Sequence, residues 1–295
     1  SAAPVKTYEV KSPDGRLALV LTAGERLSFT VARDGETLVA PSEMALTLST
    51  GEVLGESPRV RSARRRAVTE TIDAPLYRQS RFDAAYNELD LRLRGDYGIL
   101  ARAYDDGVCY RFYTERDGEL TIVDETAQLN FEGDPSAYIP YSKTEIPMRT
   151  SFENTYEYAP LSKFRTQTVA FMPVLVDLGE RGYVLYTESD VEAYPGVYLT
   201  YDKEAKGFAA RFAECPTETS LTKRFQDVVE RSADYIARVD GRRSYPWRIV
   251  AYAATATELP VNDMVWQTAE ASRVADASWV RDGKIAWDWW NNWGV

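Results

Sequence analysis

Histidine is absent from this chain of 295 residues. Mechanisms that need an imidazole as general base are therefore closed to it, and so are the commonest zinc sites. Cysteine is scarce as well: Cys109 and Cys215 are the only two, too few for a disulfide framework. Cys109 lies in the apolar, strand-like run Val108-Cys109-Tyr110-Arg111-Phe112 and is expected as a buried free thiol. No apolar run approaches the roughly 20 residues needed to cross a bilayer, so no membrane partner is expected. The opening Ser1-Ala2-Ala3-Pro4 has the small residues found around signal cleavage sites. It reads as the mature start of a periplasmic or secreted protein. Positive charge is also in short supply, with 35 basic residues against 45 acidic ones and a net charge of −10. Such a surface repels phosphate backbones, which excludes nucleic acid as the expected partner. The one basic cluster, Arg61, Arg64, Arg65 and Arg66, reads as a solvated strand edge. Carboxylates, aromatics and arginine are what remain for chemistry.

What the sequence does have is period-two alternation. Leu17, Leu19 and Leu21 alternate with Ala18, Val20 and Thr22, and Leu27, Phe29 and Val31 with Ser28, Thr30 and Ala32. The pattern returns at Met44, Leu46 and Leu48, and at Leu89, Leu91 and Leu93. Alternation of this kind marks strands with one face on a core. Asp-Gly pairs begin at Asp14, Asp34, Asp106, Asp117, Asp240 and Asp282, and this dipeptide suits hairpin turns because both residues tolerate positive φ. Many short strands with regular turn signals predict an all-β protein, a two-sheet antiparallel sandwich. Helix is scarce. Phe225, Val228, Val229 and Ser232 leave the start of the 220–239 stretch ambiguous between helix and strand, whereas Tyr235 to Val239 reads as a strand entering a turn at Asp240-Gly241.

Beyond Glu258 the texture changes. A short helix is predicted over Met264 to Ala269, after a proline and a cap-like Asn262-Asp263. Five of the seven tryptophans, Trp279, Trp287, Trp289, Trp290 and Trp293, fall in the last stretch. Ile285-Ala286-Trp287-Asp288-Trp289-Trp290 has the profile of a strand buried on both faces. An uncovered strand of that kind invites aggregation, so the sequence predicts a second domain to cover it. The expected division is a sandwich domain over residues 1–256, a linker with a short helix over 257–282, and the first strand of a truncated barrel over 283–295.

Three segments together resemble glycoside hydrolase family 97. They are Gly283-Lys284-Ile285-Ala286-Trp287-Asp288-Trp289-Trp290-Asn291, then Tyr245-Pro246-Trp247-Arg248-Ile249-Val250, and the aromatic loop with Phe152-Glu153, Tyr156 and Pro160-Leu161-Ser162. Ser12-Pro13-Asp14-Gly15 and Arg102-Ala103-Tyr104-Asp105-Asp106-Gly107 support them. The resemblance implies a large sandwich of the galactose-mutarotase type packed against its own C-terminal catalytic (β/α)₈ barrel. It further implies action on α-glucosidic or α-galactosidic bonds of an α-linked oligosaccharide, with a calcium ion (Ca²⁺) beside the sugar. The catalytic carboxylates of the family lie on later barrel strands, so none is expected here. The sandwich's one calcium ligand maps onto Glu153, with Glu157 as the rival. Calcium takes 6–8 oxygen ligands, so the barrel and water would supply the others.

Trp287, Asp288, Trp290 and Asn291 are expected to help line the sugar subsite, since barrel sites lie at the C-terminal ends of strands. The aspartate inclines the reading to an α-galactoside over an α-glucoside. Asp105-Asp106, Glu188 with Asp190, and Asp83 mimic a two-carboxylate site. Asp105-Asp106 reads as a turn, and Glu188 with Asp190 as a strand end facing water, so none is assigned to catalysis. The rival reading is a free-standing carbohydrate-binding sandwich, and a third is a structural domain docked through its tryptophans.

Overall fold

The computed structural model describes residues 4–143, 153–221 and 227–286. Twenty strands occupy most of it. The first ten are β1 (Lys6–Lys11), β2 (Leu17–Ala23), β3 (Leu27–Arg33), β4 (Glu36–Leu48), β5 (Val53–Leu54), β6 (Val60–Asp73), β7 (Arg81–Leu93), β8 (Tyr97–Tyr104), β9 (Gly107–Ala127) and β10 (Leu129–Asn130). The rest are β11 (Ser136–Pro140), β12 (Tyr156–Pro160), β13 (Val174–Asp177), β14 (Tyr183–Ser189), β15 (Val197–Asp202), β16 (Gly207–Phe212), β17 (Pro216–Leu221), β18 (Asp227–Ser232), β19 (Ala237–Ser244) and β20 (Trp247–Ala253). A 3-10 turn at Ala256–Val261 and the helix α1 (Met264–Thr268) follow.

Every strand pairing among the described residues is antiparallel. One sheet runs β1-β2-β3-β4-β10-β16-β15. The other runs β6-β7-β8-β9-β20-β14-β13-β11-β12. Two long strands join them. β4 pairs with β3 through its first half and with β9 through Met44–Leu48, while the later part of β9 also takes β19. Between the sheets lies one apolar core. Leu17, Leu19, Leu21, Phe29 and Val31 enter it from one side, and Leu89, Leu91, Ile99, Val108, Tyr110, Tyr186 and Val250 from the other. The sandwich expected from alternation is the fold observed.

The Asp-Gly signals divide into two groups. Asp34 and Gly35, at φ 50° and 86°, make the β3–β4 hairpin turn, and Gly15, at 75°, turns β1 into β2. Asp117-Gly118 and Asp240-Gly241, however, lie inside β9 and β19. The ladder there skips from Asp240↔Glu119 to Arg242↔Glu115, a bulge. A Cβ on Gly241 would stand 2.6 Å from the carbonyl oxygen of Arg116, so this glycine permits a close backbone approach where a turn was expected. The described residues of the ambiguous segment are strand: β17 and β18 form a separate two-stranded ribbon, and Phe225 lies outside the described residues.

β20 is buried on both faces. Its even-numbered residues point into the sandwich, and among them is Arg248, fully buried. Arg248 holds Glu125 through Nε to Oε1 and Nη2 to Oε2, both at 2.8 Å, and Glu188 through Nη1 to Oε2 at 2.6 Å. The Tyr194 hydroxyl donates to Glu125 Oε2 at 2.9 Å, and Val197 N donates to Glu188 Oε1 at 3.0 Å. Burial alone would push the guanidinium down, but Glu125 and Glu188 hold it well above its ordinary value. Burial pushes the Glu188 carboxyl up, against the pull of Arg248. On the odd-numbered face, Trp247, Ile249 and Ala251 pack with Tyr86, Tyr104, Cys109 and Met264 of α1. Cys109 is a buried free thiol, as expected, and burial pushes it up to about 12.

Two predictions follow from this packing. Removing one partner of a buried ion pair leaves an uncompensated charge, so Glu125→Gln or Arg248→Met is expected to lower unfolding stability by roughly 3–5 kcal/mol. A denaturant midpoint within error of wild type would contradict this. Asp106, in the β8–β9 turn, accepts from Asn262 Nδ2 at 3.2 Å, and burial lifts its carboxyl to about 6, with Asp263 and Asp105 adding to the lift. A carboxyl raised in the folded state is fully accommodated below its unfolded value, and that stability is lost as pH rises through about 6. The stability of wild type relative to Asp106→Asn should therefore improve as pH falls from 7 towards 4. A pH-independent difference in melting temperature would refute it.

Candidate functional site

Glu153 is exposed, in extended chain leading into β12. The chain on its C-terminal side is anchored. Asn154 Nδ2 donates to the Tyr141 carbonyl at 2.8 Å, and Asn154 Oδ1 accepts from Thr155 N at 2.9 Å. Tyr141 is itself held: its hydroxyl accepts from Arg165 N at 3.1 Å, and Phe164 meets its ring edge-on. Beyond β12, Ser162 closes the segment with its N and Oγ on the Asp134 carboxylate, at 2.9 and 2.6 Å. The rival carboxylate is already engaged, since Glu157 pairs with Arg165 at 2.6 Å. Among the described residues of this segment, that leaves Glu153 as the exposed carboxylate.

Among the described residues, no three Asp, Glu, Cys or His side chains gather as a metal cage. One carboxylate cannot satisfy a cation that takes 6–8 oxygens. The donors among the described residues therefore fit calcium only as contributors to a site completed by others. Trp287, Asp288, Trp290 and Asn291 lie outside the described residues, as does Phe152.

The carboxylate pairs set aside from catalysis have structural duties. Asp105 Oδ1 accepts from Asp14 N at 2.9 Å, and Asp83 accepts from Thr71 at 2.8 Å. For Glu188 and Asp190 the expectation of a shared, water-facing side is corrected. Glu188 turns inward onto Arg248, whereas Asp190, past the end of β14 with φ 59°, accepts from Arg111 at 3.1 Å. The backbone reversal at Asp190 breaks the alternation on which that expectation rested.

Sequence reasoning missed the layer around Trp247. Arg102 lies over one side of this ring at 4.6 Å and Arg111 at 4.8 Å, both buried enough for cation–π attraction to count. Arg102 also lies over Tyr86 and donates to Glu88 Oε2 at 2.7 Å, and Glu88 takes a second guanidinium from Arg66. Arg111 Nε donates to the Tyr245 carbonyl at 2.8 Å. In the sequence, Arg111 sits in an apolar run and Arg102 in a segment that supports the family resemblance, and nothing local signals an aromatic partner 136 or more residues on. The outer face of the same sheet continues to β11 and β12, where Tyr138, Tyr156 and Tyr158 are exposed.

The chain is 36% identical over 298 aligned residues to a retaining alpha-galactosidase of Bacteroides thetaiotaomicron, covering 98% of this chain and 45% of that protein. It is 29% identical to a probable retaining alpha-galactosidase of Streptomyces bingchenggensis, covering 94% of this chain and 39% of that one. The chain thus spans less than half the length of these relatives. In fold it resembles a glycoside hydrolase family 97 enzyme of Pseudoalteromonas sp. strain K8, solved with acarbose, at a TM-score of 0.76 and 17% identity over 93% of this chain and 40% of that one. A beta-arabinopyranosidase follows at 0.67 and 19%, over 84% of this chain and 40% of that one. The family model described as glycosyl-hydrolase 97 N-terminal matches residues 10–270, so the chain belongs to that family.

Proposed function

We propose that this chain is the non-catalytic N-terminal part of a calcium-dependent, retaining α-glycosidase that acts on α-galactosides in the periplasm or outside the cell. The observation that carries the reading is the 36% identity to a retaining alpha-galactosidase across 98% of this chain. A retaining glycosidase works with two carboxylates about 5–5.5 Å apart, one as nucleophile and one as acid and base. In this reading both belong to the part of the protein that the relatives have beyond this stretch. The sandwich buttresses the catalytic barrel, and its own contribution to the chemistry is Glu153. Solvent-directed and free of the arginine that occupies Glu157, Glu153 would hold calcium together with oxygens from the barrel and water. The bound ion would supply positive charge beside the sugar. Trp287, Asp288, Trp290 and Asn291 would line the sugar subsite.

In the full-length protein, Glu153→Gln is expected to weaken calcium binding at least about tenfold and to lower turnover of an aryl α-galactoside in parallel. Unchanged calcium affinity and unchanged turnover would remove Glu153 from the site. An aryl α-glucoside turned over faster than the α-galactoside by the wild-type protein would reverse the proposed specificity.

A further inference from the structure

The tyrosines beside Glu153 form a surface that the reading so far leaves unused. Tyr138 on β11 stands directly across from Tyr158 on β12, and Tyr156 follows one alternation along. The ring centroids of Tyr138 and Tyr158 are 4.6 Å apart with planes at 40°. These rings are 39%, 47% and 53% exposed for Tyr138, Tyr156 and Tyr158, an unusual degree for three aromatics on one sheet face.

Their hydroxyls explain how the rings lie. β11 sits between β12 and β13. The Tyr158 hydroxyl nevertheless reaches Asp177 Oδ2 of β13 at 3.0 Å, and the Tyr156 hydroxyl reaches the Pro173 carbonyl at 3.1 Å. Two strand spacings amount to roughly 10 Å, and a side chain that covers that distance to an acceptor lies along the sheet instead of standing up from it. Both rings are therefore tied down at their hydroxyl ends while staying about half exposed. Alternation puts Ser136, Pro140, Pro160, Leu175 and Asp177 on the same side, with no lysine or arginine among them. Asp177 is already occupied, since its other oxygen accepts from Gly179 N at 2.9 Å. Among the described residues this surface is aromatic and carries no lysine or arginine, which disfavours phosphate or carboxylate ligands.

We infer that Tyr138, Tyr156 and Tyr158 form a stacking platform for neutral pyranose units of an oligosaccharide. A pyranose presents C–H bonds on one face, and the negative face of a phenol ring attracts them while the sugar hydroxyls stay in water. Tyr156 and Tyr158, held by their own hydroxyls, lose little freedom when a sugar arrives. The inference rests on the functional reading above, because it takes Glu153 to mark the reacting end. Tyr156 and Tyr158 come three and five residues after Glu153, at most about 11 and 18 Å along the chain. That reach allows the platform to lie beyond the sugar at the reacting centre. It holds units further along the leaving-group side of a longer substrate.

The test compares substrate lengths in the full-length protein. Tyr158→Ala and Tyr138→Ala are expected to reduce kcat/KM for stachyose, an α-galactosyl tetrasaccharide, roughly tenfold through KM. For an aryl α-galactoside with a single sugar, the same variants should stay within about twofold of wild type. Equal losses on both substrates, or none on stachyose, would overturn the platform, and so would a fall in melting temperature with no length dependence. If wild type turned over neither substrate, the functional reading would fail by itself. Calorimetric titration with stachyose would then decide the platform: binding roughly tenfold weaker in Tyr158→Ala keeps it, and equal or absent binding in both proteins removes it.

Discussion

The structure depends on a guanidinium placed where water cannot reach. Arg248 is fully buried between the sheets, and it is tolerable there only because Glu125 accepts two of its hydrogen bonds and Glu188 a third. Those partners come from distant parts of the chain: β9 supplies Glu125, β14 supplies Glu188, and Tyr194 closes the group from the loop after β14. An ionic contact of this kind is a poor source of net stability but a demanding one geometrically. It sets the positions of β20, β9 and β14 together, and the apolar residues around it would tolerate many other arrangements.

The opposite face of β20 repeats the theme with different forces. Trp247 takes arginines within 5 Å from β8 and β9, and both of these are tied to carboxylates or carbonyls. One strand thus carries an ion-pair cluster inward and an aromatic–arginine layer outward, with α1 laid over the latter through Met264. The result is a rigid central sheet, and from it β11 and β12 carry the tyrosine face out to one edge. At the other edge, β6 presents Arg64, Arg65 and Arg66 to solvent, which discourages pairing with another chain.

The sandwich was legible because most of its strands have one wet face, and alternation shows whichever face is dry. Leu17-Leu19-Leu21 and Leu89-Leu91-Leu93 needed no more than that. β20 was less legible, since a strand dry on both faces loses its alternation; Arg248 there looks like a solvent-facing residue until its partners are known. Asp117-Gly118 and Asp240-Gly241 misled because a bulge and a hairpin ask the same freedom of glycine. At the candidate site, Glu153 was reached through resemblance, and no spacing in the chain singles it out. The tyrosine face was half visible: Tyr156 and Tyr158 share a period of two, but Tyr138 joins them only through strand register.

β9 has a consequence for how the chain must acquire its shape. Its 21 residues are flanked by β4 and β8 from upstream and by β19 and β20 from downstream. Upstream partners are available as soon as β9 is made, but the last two lie more than a hundred residues later. Closing such long loops makes the topology one of high contact order, which slows folding. During synthesis the middle of the molecule therefore waits, one side of its longest strand unpaired, until residue 253 has left the ribosome.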